Sequence, residues 1–501
     1  MTISLRLQWS SQPQTTISKV EHYESIMNKF FKTQLKLPVT AEDAFTWHSR
    51  PGALERLIPP WEAVEIAERG NGIRNGSIVK LIQRFGPLKI SWVAKHHGCQ
   101  PGRSFRDTQV SGPFTHWEHL HDFQPNGDGK GVLTDQIEYQ PPGGTLGSWL
   151  SNRFIKRKLQ AMFAYRHNTT HDDLTHHANY SEHRTINIAV TGSSGLVGST
   201  LVPMLTTGGH GVTKLVRSEA CESEVAWNPQ ADTFDASALD GVDAVVHLAG
   251  ENIAAARWSS KVKEKIRSSR VQGTRVLSET LAKMSTPPKV LVCASAIGFY
   301  GDRGHEILTE ESAAGSGFLA EVAQEWEAAT KPAREAGIRV VHLRFGVILS
   351  PRGGALAKML LPFKFGIGGR IGNGRQYWSW ISNDDAAGAI HHALMTDSLH
   401  GPVNVVAPSP VTNNEFTKTL GQVLGRPTIA PMPAFAARFA LGEMADELLL
   451  ASTRAEPQQL VLTGYEFRQP TLEVALQHLL GKARHSLSKD QQNESSELVL
   501  T

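Results

Sequence analysis

Two unlike folds are legible in this chain of 501 residues: an α+β segment of antiparallel strands closed by a long helix, then an α/β segment built on a doubly wound parallel sheet. Three observations predict them. Short β-rich segments separated by turn signals fill the first third. A very apolar strand then runs into three glycines spaced G-x-x-G-x-x-G. Beyond it strands and helices alternate, which requires a parallel sheet with helical crossovers.

Composition sets the frame for these elements. Apolar residues make up 40% of the chain, and with 44 glycines the fraction approaches half, the composition of proteins that bury a core. Lysine and arginine number 51 against 48 acidic residues, a net +3 that creates no field for nucleic acid. Cys99, Cys221 and Cys293 have no C-x-x-C spacing, so neither a disulfide framework nor a zinc knuckle is expected, and a reducing cytoplasm is the expected compartment. The opening MTISLRLQWSSQPQTT does not read as a signal peptide, and no run approaches the 18 apolar residues of a membrane span.

Residues 1–28 read as an extension. In 29–171 the segments FFKTQLKLPV, GSIVKLIQRF, KISWVAKHHG, SFRDTQVSG, THWEHLHDFQP and GVLTDQIEYQ read as strands of an antiparallel meander. Between the first two, Thr40 is an N-cap candidate and Pro51 a break, predicting two short helices. Leu146, Trp149, Leu150, Phe154, Leu159, Met162 and Phe163 near helical period predict one long amphipathic helix. An aromatic interior is expected from Trp61, Phe85, Trp92, Phe105, Phe114 and Trp117, either as a filled core or as the wall of an apolar ligand cavity. Polar residues 172–185 read as a linker, and 481–501 as a disordered tail.

The order of one strand, two short helices, the remaining strands and a long final helix resembles the START-like or Bet v 1-like superfamily (SRPBCC), specifically its cyclase/dehydrase-type members. The resemblance implies a helix-grip fold that usually holds an apolar ligand.

The strongest chemical signal is INIAVTGSSGLVGSTLVPML, in which strand Ile186–Val190 enters the turn Gly192, Ser193, Ser194, Gly195, Leu196, Val197, Gly198 ahead of a helix. Gly192 permits a tight turn, Gly195 lets backbone approach a pyrophosphate, and Gly198 lets helix pack on sheet. Amides at the helix N-terminus then face the anion. A second strand, Val212–Val216, ends at Arg217 and Ser218 where an NAD site usually offers an acidic residue. Arginine there accommodates a 2′-phosphate, so NADP is favoured over NAD, with Glu219 or Glu222 as the alternative ribose ligands. Leu248, Ala249 and Gly250 close the next strand with small residues able to pass near a cofactor, and Ser295 and Tyr300 follow at the end of another.

These motifs, with HLAGENI, ASAIGFYG and SWISNDDAAGAI, resemble the extended short-chain dehydrogenase/reductase superfamily, the NAD(P)-dependent epimerase/dehydratase group. RWSSKVKEKIRSSRVQGTRVL and the segment beginning MPAFAARFALGEMADELLL resemble its YfcH-like branch. That resemblance implies a Rossmann domain over 186–431, a C-terminal domain of unknown function, DUF1731, over 432–480, and fusion to an N-terminal START-like domain. It implies an oxidoreductase or epimerase acting on a small metabolite, an apolar one included, and a substrate pocket that draws on Arg375 and Trp380.

One departure is clear: no tyrosine has lysine four residues on, and the expected place holds Phe318 and Val322. A neighbouring lysine cation is what lowers the pKa of an acid–base tyrosine. Chemistry then runs through Ser295 as a carbonyl partner and Tyr300 as acid, with Glu321 or another carboxylate of the following helix. The alternatives are a catalytically silent NADP-binding sensor and a lipid or isoprenoid carrier working through the START-like domain. Asp384 reads as a helix N-cap or a pocket residue. His391 and His392 are adjacent, and His167 and His171 lack a third ligand, so no metal is expected. Oligomeric state is not legible.

Overall fold

The computed structural model describes residues 28–141, 144–217, 221, 224–228 and 236–482. Ser218, Glu219, Glu222 and most of the expected terminal extension and tail lie outside them. The chain divides into two compact units, one of residues up to 45 and 63–160, the other of 46–62 and 161 onward.

In the first unit seven antiparallel strands form one sheet in the order β1-β7-β6-β5-β4-β3-β2. They are β1 Lys29–Lys36, β2 Val64–Glu68, β3 Ile78–Phe85, β4 Leu88–Gln100, β5 Ser104–Ser111, β6 His116–Pro125 and β7 Gly131–Gln140. The short β2 is absent from the segments read as strands: VEIAE carries two glutamates and pairs only at the sheet edge. Helix α1, Ala41–Ser49, starts as expected at Thr40, whose hydroxyl accepts the Asp43 amide at 3.1 Å. Alternation along β6 and β7 puts Trp117, His119, His121 and Phe123, with Leu133, Asp135, Ile137 and Tyr139, on the buried face. The aromatic part packs edge to face, Trp92 on Trp117 at 4.9 Å and Phe45 on Phe123 at 5.6 Å. Phe85 and Phe154 are exposed, contrary to the aromatic interior expected of Phe85 and the packed face that helical period gave Phe154. Trp61 belongs to the other unit, edge-on to Tyr165.

The first half of the expected linker, residues 172–178, is helix. After α2, Ala53–Leu57, helix α3 runs from Gly144 to Ala178 without a break, its residues from 161 belonging to the second unit. Polar residues that look like linker composition are buried partners there. Asp173, fully enclosed, accepts two bonds from Arg56 (2.7 and 2.8 Å) and one from Arg468 (2.6 Å). His176 Nε2 lies 2.8 Å from His391 Nδ1, and Tyr180 binds His392 at 2.5 Å.

The second unit holds a seven-stranded parallel sheet: β8 Asn187–Thr191, β9 Gly211–Val216, β10 Glu224–Ala226, β11 Ala244–His247, β12 Val290–Ala296, β13 Arg339–Phe345 and β14 Gly401–Val405. The order is β10-β9-β8-β11-β12-β13-β14. Strands β8 and β11 are neighbours whose crossovers depart to opposite sides, the switch point outside whose carboxyl ends ligands bind in open α/β sheets. The core lies on the faces of these strands: Ile188, Val190, Val246 and Val292 pack against Leu201 and Leu205 of α4, Gly198–Thr207. Residues 432–479 add short helices whose last, Leu472–Leu479, buries its apolar face against Leu356, Trp380 and Phe416.

Candidate functional site

At the switch point the three glycines divide the work by contact. Gly192 has φ +68°, and a Cβ there would lie 2.8 Å from the Leu248 carbonyl carbon, so any other residue would push β8 off the β11 loop. At Gly198 a Cβ would meet the Gly192 carbonyl oxygen at 2.3 Å, which prevents the helix from closing on the turn. Around Gly195 the only near atom is that same oxygen, at 3.1 Å. Gly195 and Ser194 are exposed, with Ser193, Leu196 and Val197 half-buried beside them, leaving backbone open to a bulky anion. Thr191 locks the neighbouring loop: its hydroxyl accepts the Leu248 and Ala249 amides at 3.1 and 3.2 Å. His247, between Thr191 and Thr274, is buried, and burial lowers its pKa to about 4, so it is a neutral strut.

These features fit a dinucleotide: a turn that only glycine can make, and room where a side chain would otherwise stand. Arg217 is exposed directly after β9, one strand from the turn. Arg270, foreseen by no motif, lies beside Gly250, where a Cβ would come within 3.4 Å of its guanidinium carbon. Burial lowers its pKa to about 10, and it rests over the Trp326 ring at 5.1 Å. This half-buried cation beside the exposed Gly250 is a second anion-binding candidate.

The polar network at the end of β12 is built differently. Ser295, at the end of β12, donates to Glu327 Oε1 at 2.7 Å. Arg344 of β13 holds both Glu327 oxygens, at 2.8 and 2.9 Å, and donates to the Tyr300 hydroxyl at 2.9 Å. That hydroxyl also lies 2.8 Å from Asn404 Oδ1 and 3.0 Å from the Thr309 carbonyl. Tyr300 is fully buried, and burial raises its pKa despite Arg344. An acid–base tyrosine needs a lowered pKa and an accessible oxygen, so the acid role expected of Tyr300 does not suit this geometry; it ties Arg344 to β14 instead.

The carboxylate that reaches Ser295 is Glu327, not Glu321, which is exposed and paired with Arg267. Phe318 and Val322 are buried apolar residues of the helix Phe318–Ala328. Glu447 stands at its N-terminus, accepting the Phe318 amide at 3.2 Å.

Among the expected substrate residues, Arg375 is exposed. Trp380 is fully enclosed in the core, its indole donating to the Ser409 carbonyl at 3.1 Å, so the pocket role expected for it is corrected to packing. Asp384 does not cap its helix; Ser382 does, accepting the Asp385 amide at 3.0 Å. Asp384 binds Arg56 at 2.6 Å, and although burial opposes its charge, Arg56 and His478 hold its pKa far below the usual range. His167 is buried and His171 exposed, so that pair does not converge.

Three family models match separate segments of the chain. The NAD dependent epimerase/dehydratase family matches residues 188–406, the DUF1731 domain of unknown function 432–479, and the polyketide cyclase/dehydrase and lipid transport family 37–164. An epimerase family protein of Mycobacterium bovis is 46% identical over 290 residues, 58% of this chain and 96% of that protein. The crystal structure of a nucleoside-diphosphate sugar epimerase from Corynebacterium glutamicum is similar over 93% of each chain, at 35% identity and TM-score 0.76. That of human epimerase family protein SDR39U1 with NADPH matches 60% of this chain and all of that one, at 33% identity and TM-score 0.56. No helix among the described residues is long and apolar enough to cross a membrane.

Proposed function

The chain belongs to the NAD dependent epimerase/dehydratase family, and from that premise we propose that its second unit binds NADP(H) in preference to NAD(H) and acts on a small metabolite as an oxidoreductase or epimerase. The observation that carries the proposal is the glycine cradle at the switch point, with backbone open at Gly195 and Arg217 one strand away. Gly192 to Gly198 and Leu248 to Gly250 would hold the pyrophosphate side, and Arg217 the 2′-phosphate. The human relative's complex with NADPH supports the choice of cofactor.

When bound, the nicotinamide supplies hydride acceptance and donation. For its part the chain offers Ser295, held by Glu327, as a hydrogen-bonding group at the end of β12, with Arg375 exposed on a more distal loop. The relative from Corynebacterium makes nucleoside-diphosphate sugars the first substrates to test. The first unit, with its START-like likeness, is proposed to hold a ligand of its own.

A second reading, nucleotide binding without hydride transfer, is favoured by the enclosed Tyr300 and by Phe318 and Val322 where a Tyr–Lys pair would stand. Calorimetric titration of the full chain with NADPH and with NADH separates these steps. NADPH should bind more tightly than NADH, and binding of neither overturns the cofactor assignment. Incubating the NADPH complex with nucleoside-diphosphate sugars and following absorbance and product by mass then distinguishes turnover from silent binding.

A further inference from the structure

Three strands of the first unit bring imidazoles and carboxylates together on the buried sheet face. His119 and His121 are two apart on β6 and therefore share that face. Asp107 of β5 stands opposite His119 in register, and Asp135 of β7 opposite His121. Asp107 Oδ2 lies 3.2 Å from His119 Nδ1 and 3.6 Å from His121 Nε2. On the far side of both rings a single oxygen, Asp135 Oδ1, lies 3.0 Å from His119 Nε2 and 2.9 Å from His121 Nδ1.

From this arrangement we infer that the first unit binds a divalent transition metal ion of the zinc class through Asp107, His119 and His121, with Asp135 as the carboxylate behind both imidazoles. The ligand atoms of the three residues all lie within 4.8 Å of one another. Two donors bound tetrahedrally at zinc distances of about 2.0–2.1 Å stand about 3.3 Å apart, which matches the 3.2 and 3.6 Å separations of the Asp107 oxygen from the two nitrogens.

The carboxylate behind the rings selects their tautomers. Asp135 favours a proton on the nitrogen of each imidazole nearest to it, which turns the opposite nitrogens, both facing Asp107, into lone pairs. Two lone pairs and a carboxylate oxygen facing one another suit a metal cation between them. A carboxylate behind a metal-bound histidine is also the usual way its ring is oriented. Charge agrees: a divalent ion balances Asp107 and Asp135 while both histidines stay neutral.

A further group points the same way. His96 of β4 is the register partner of Asp107, and its Nδ1 is buried without a hydrogen-bond partner among the described residues. Three protein ligands leave a fourth position for water or for an oxygen of the unit's ligand, the pattern of a reactive rather than a structural zinc. The ligand of this interior is then one that carries an oxygen donor as well as apolar surface.

The test is metal analysis of the full chain after chelation and dialysis, followed by titration with Zn²⁺ and with Co²⁺. Wild type should take up one tightly held equivalent, and the cobalt form should show intense visible bands of tetrahedral nitrogen and oxygen coordination. The variant D107N/H119Q/H121Q should lose that equivalent. D135N, which keeps all three ligands, should bind about 10- to 100-fold more weakly. H391Q, in the separate histidine group of the second unit, should leave the stoichiometry unchanged. The inference is overturned if wild type holds no equivalent of either metal, if cobalt gives only weak octahedral bands, or if the triple variant binds as wild type does. The wild-type titrations keep the test decisive even where the triple variant fails to fold; without a metal the site is a proton-bridged histidine–aspartate cluster.

Discussion

The glycine cradle after β8 and the Ser295 network at the end of β12 are separated by one strand, β11, yet they are made of opposite materials. The cradle is backbone with side chains removed: Gly192, Gly195 and Gly198 leave space and amides. At the end of β12 the volume is filled, with Arg344 holding both Glu327 and Tyr300 inside the protein. An open anion site can be specified by what is missing, and a missing side chain is visible in a sequence. A closed polar network is specified by which distant residues meet.

The largest effect should come from breaking the closed network. Glu327→Leu leaves the Arg344 guanidinium, 5% exposed, without its carboxylate. Removing one partner of a buried pair typically costs about 3–5 kcal/mol, because the remaining charge is uncompensated. Denaturant unfolding of the variant should show a loss of that size, and a change below about 1 kcal/mol would mean that water already reaches Arg344. Pairing Glu327→Leu with Arg344→Leu should recover much of the loss.

Next in size are the cradle substitutions, which should spare the fold and strike binding. Gly195→Val fills open space and meets only one backbone oxygen, so unfolding should change little while both NADPH and NADH weaken about 100-fold, about 2.8 kcal/mol. Unaltered binding would place the nucleotide elsewhere. Arg217→Ala should separate the two cofactors: NADPH loses about 1.5–3 kcal/mol, the worth of a hydrogen bond to a charged group, and NADH almost nothing. Equal losses for both would reject Arg217 as the phosphate reader and send the search to Arg270.

The same contrast explains what could be read in advance. The parallel sheet, the glycine turn and its following helix are local patterns, and β8, α4 and β9 lie within a residue or two of where apolar period and glycine placed them. Asp173 as partner of Arg56 and Glu327 as partner of Ser295 are not local; the last joins residues 32 apart, from the end of β12 to the helix Phe318–Ala328. Residues 172–178 look like linker because Asp and His are polar, but the ion-pair partners of Asp173, Arg56 and Arg468, are more than a hundred residues away. Trp380 is misread for the converse reason: an aromatic beside a pocket motif and an aromatic in a core have the same letter. In the first unit, Asp107 reaches His119 only through strand register, which no spacing in the sequence displays.

Tyr300 supplies the smallest effect and the sharpest discrimination. Tyr300→Phe keeps the ring, which packs in the core with Leu308, Val406 and Ala455, and removes only the hydroxyl. Arg344 retains Glu327 and loses one of its acceptors, and Asn404 retains a bond to the Glu456 carbonyl at 3.0 Å. The loss should then be about 1 kcal/mol of stability, the net worth of an ordinary hydrogen bond. NADPH affinity should stay at the wild-type value, and so should any turnover rate once the variant is compared below its own unfolding temperature. A tyrosine that donates a proton to substrate would instead cost about 100- to 10,000-fold in rate with stability nearly untouched. The two variables therefore move in opposite proportion under the two roles, and a single variant measured for both decides whether this residue holds the sheet edge in place or performs chemistry.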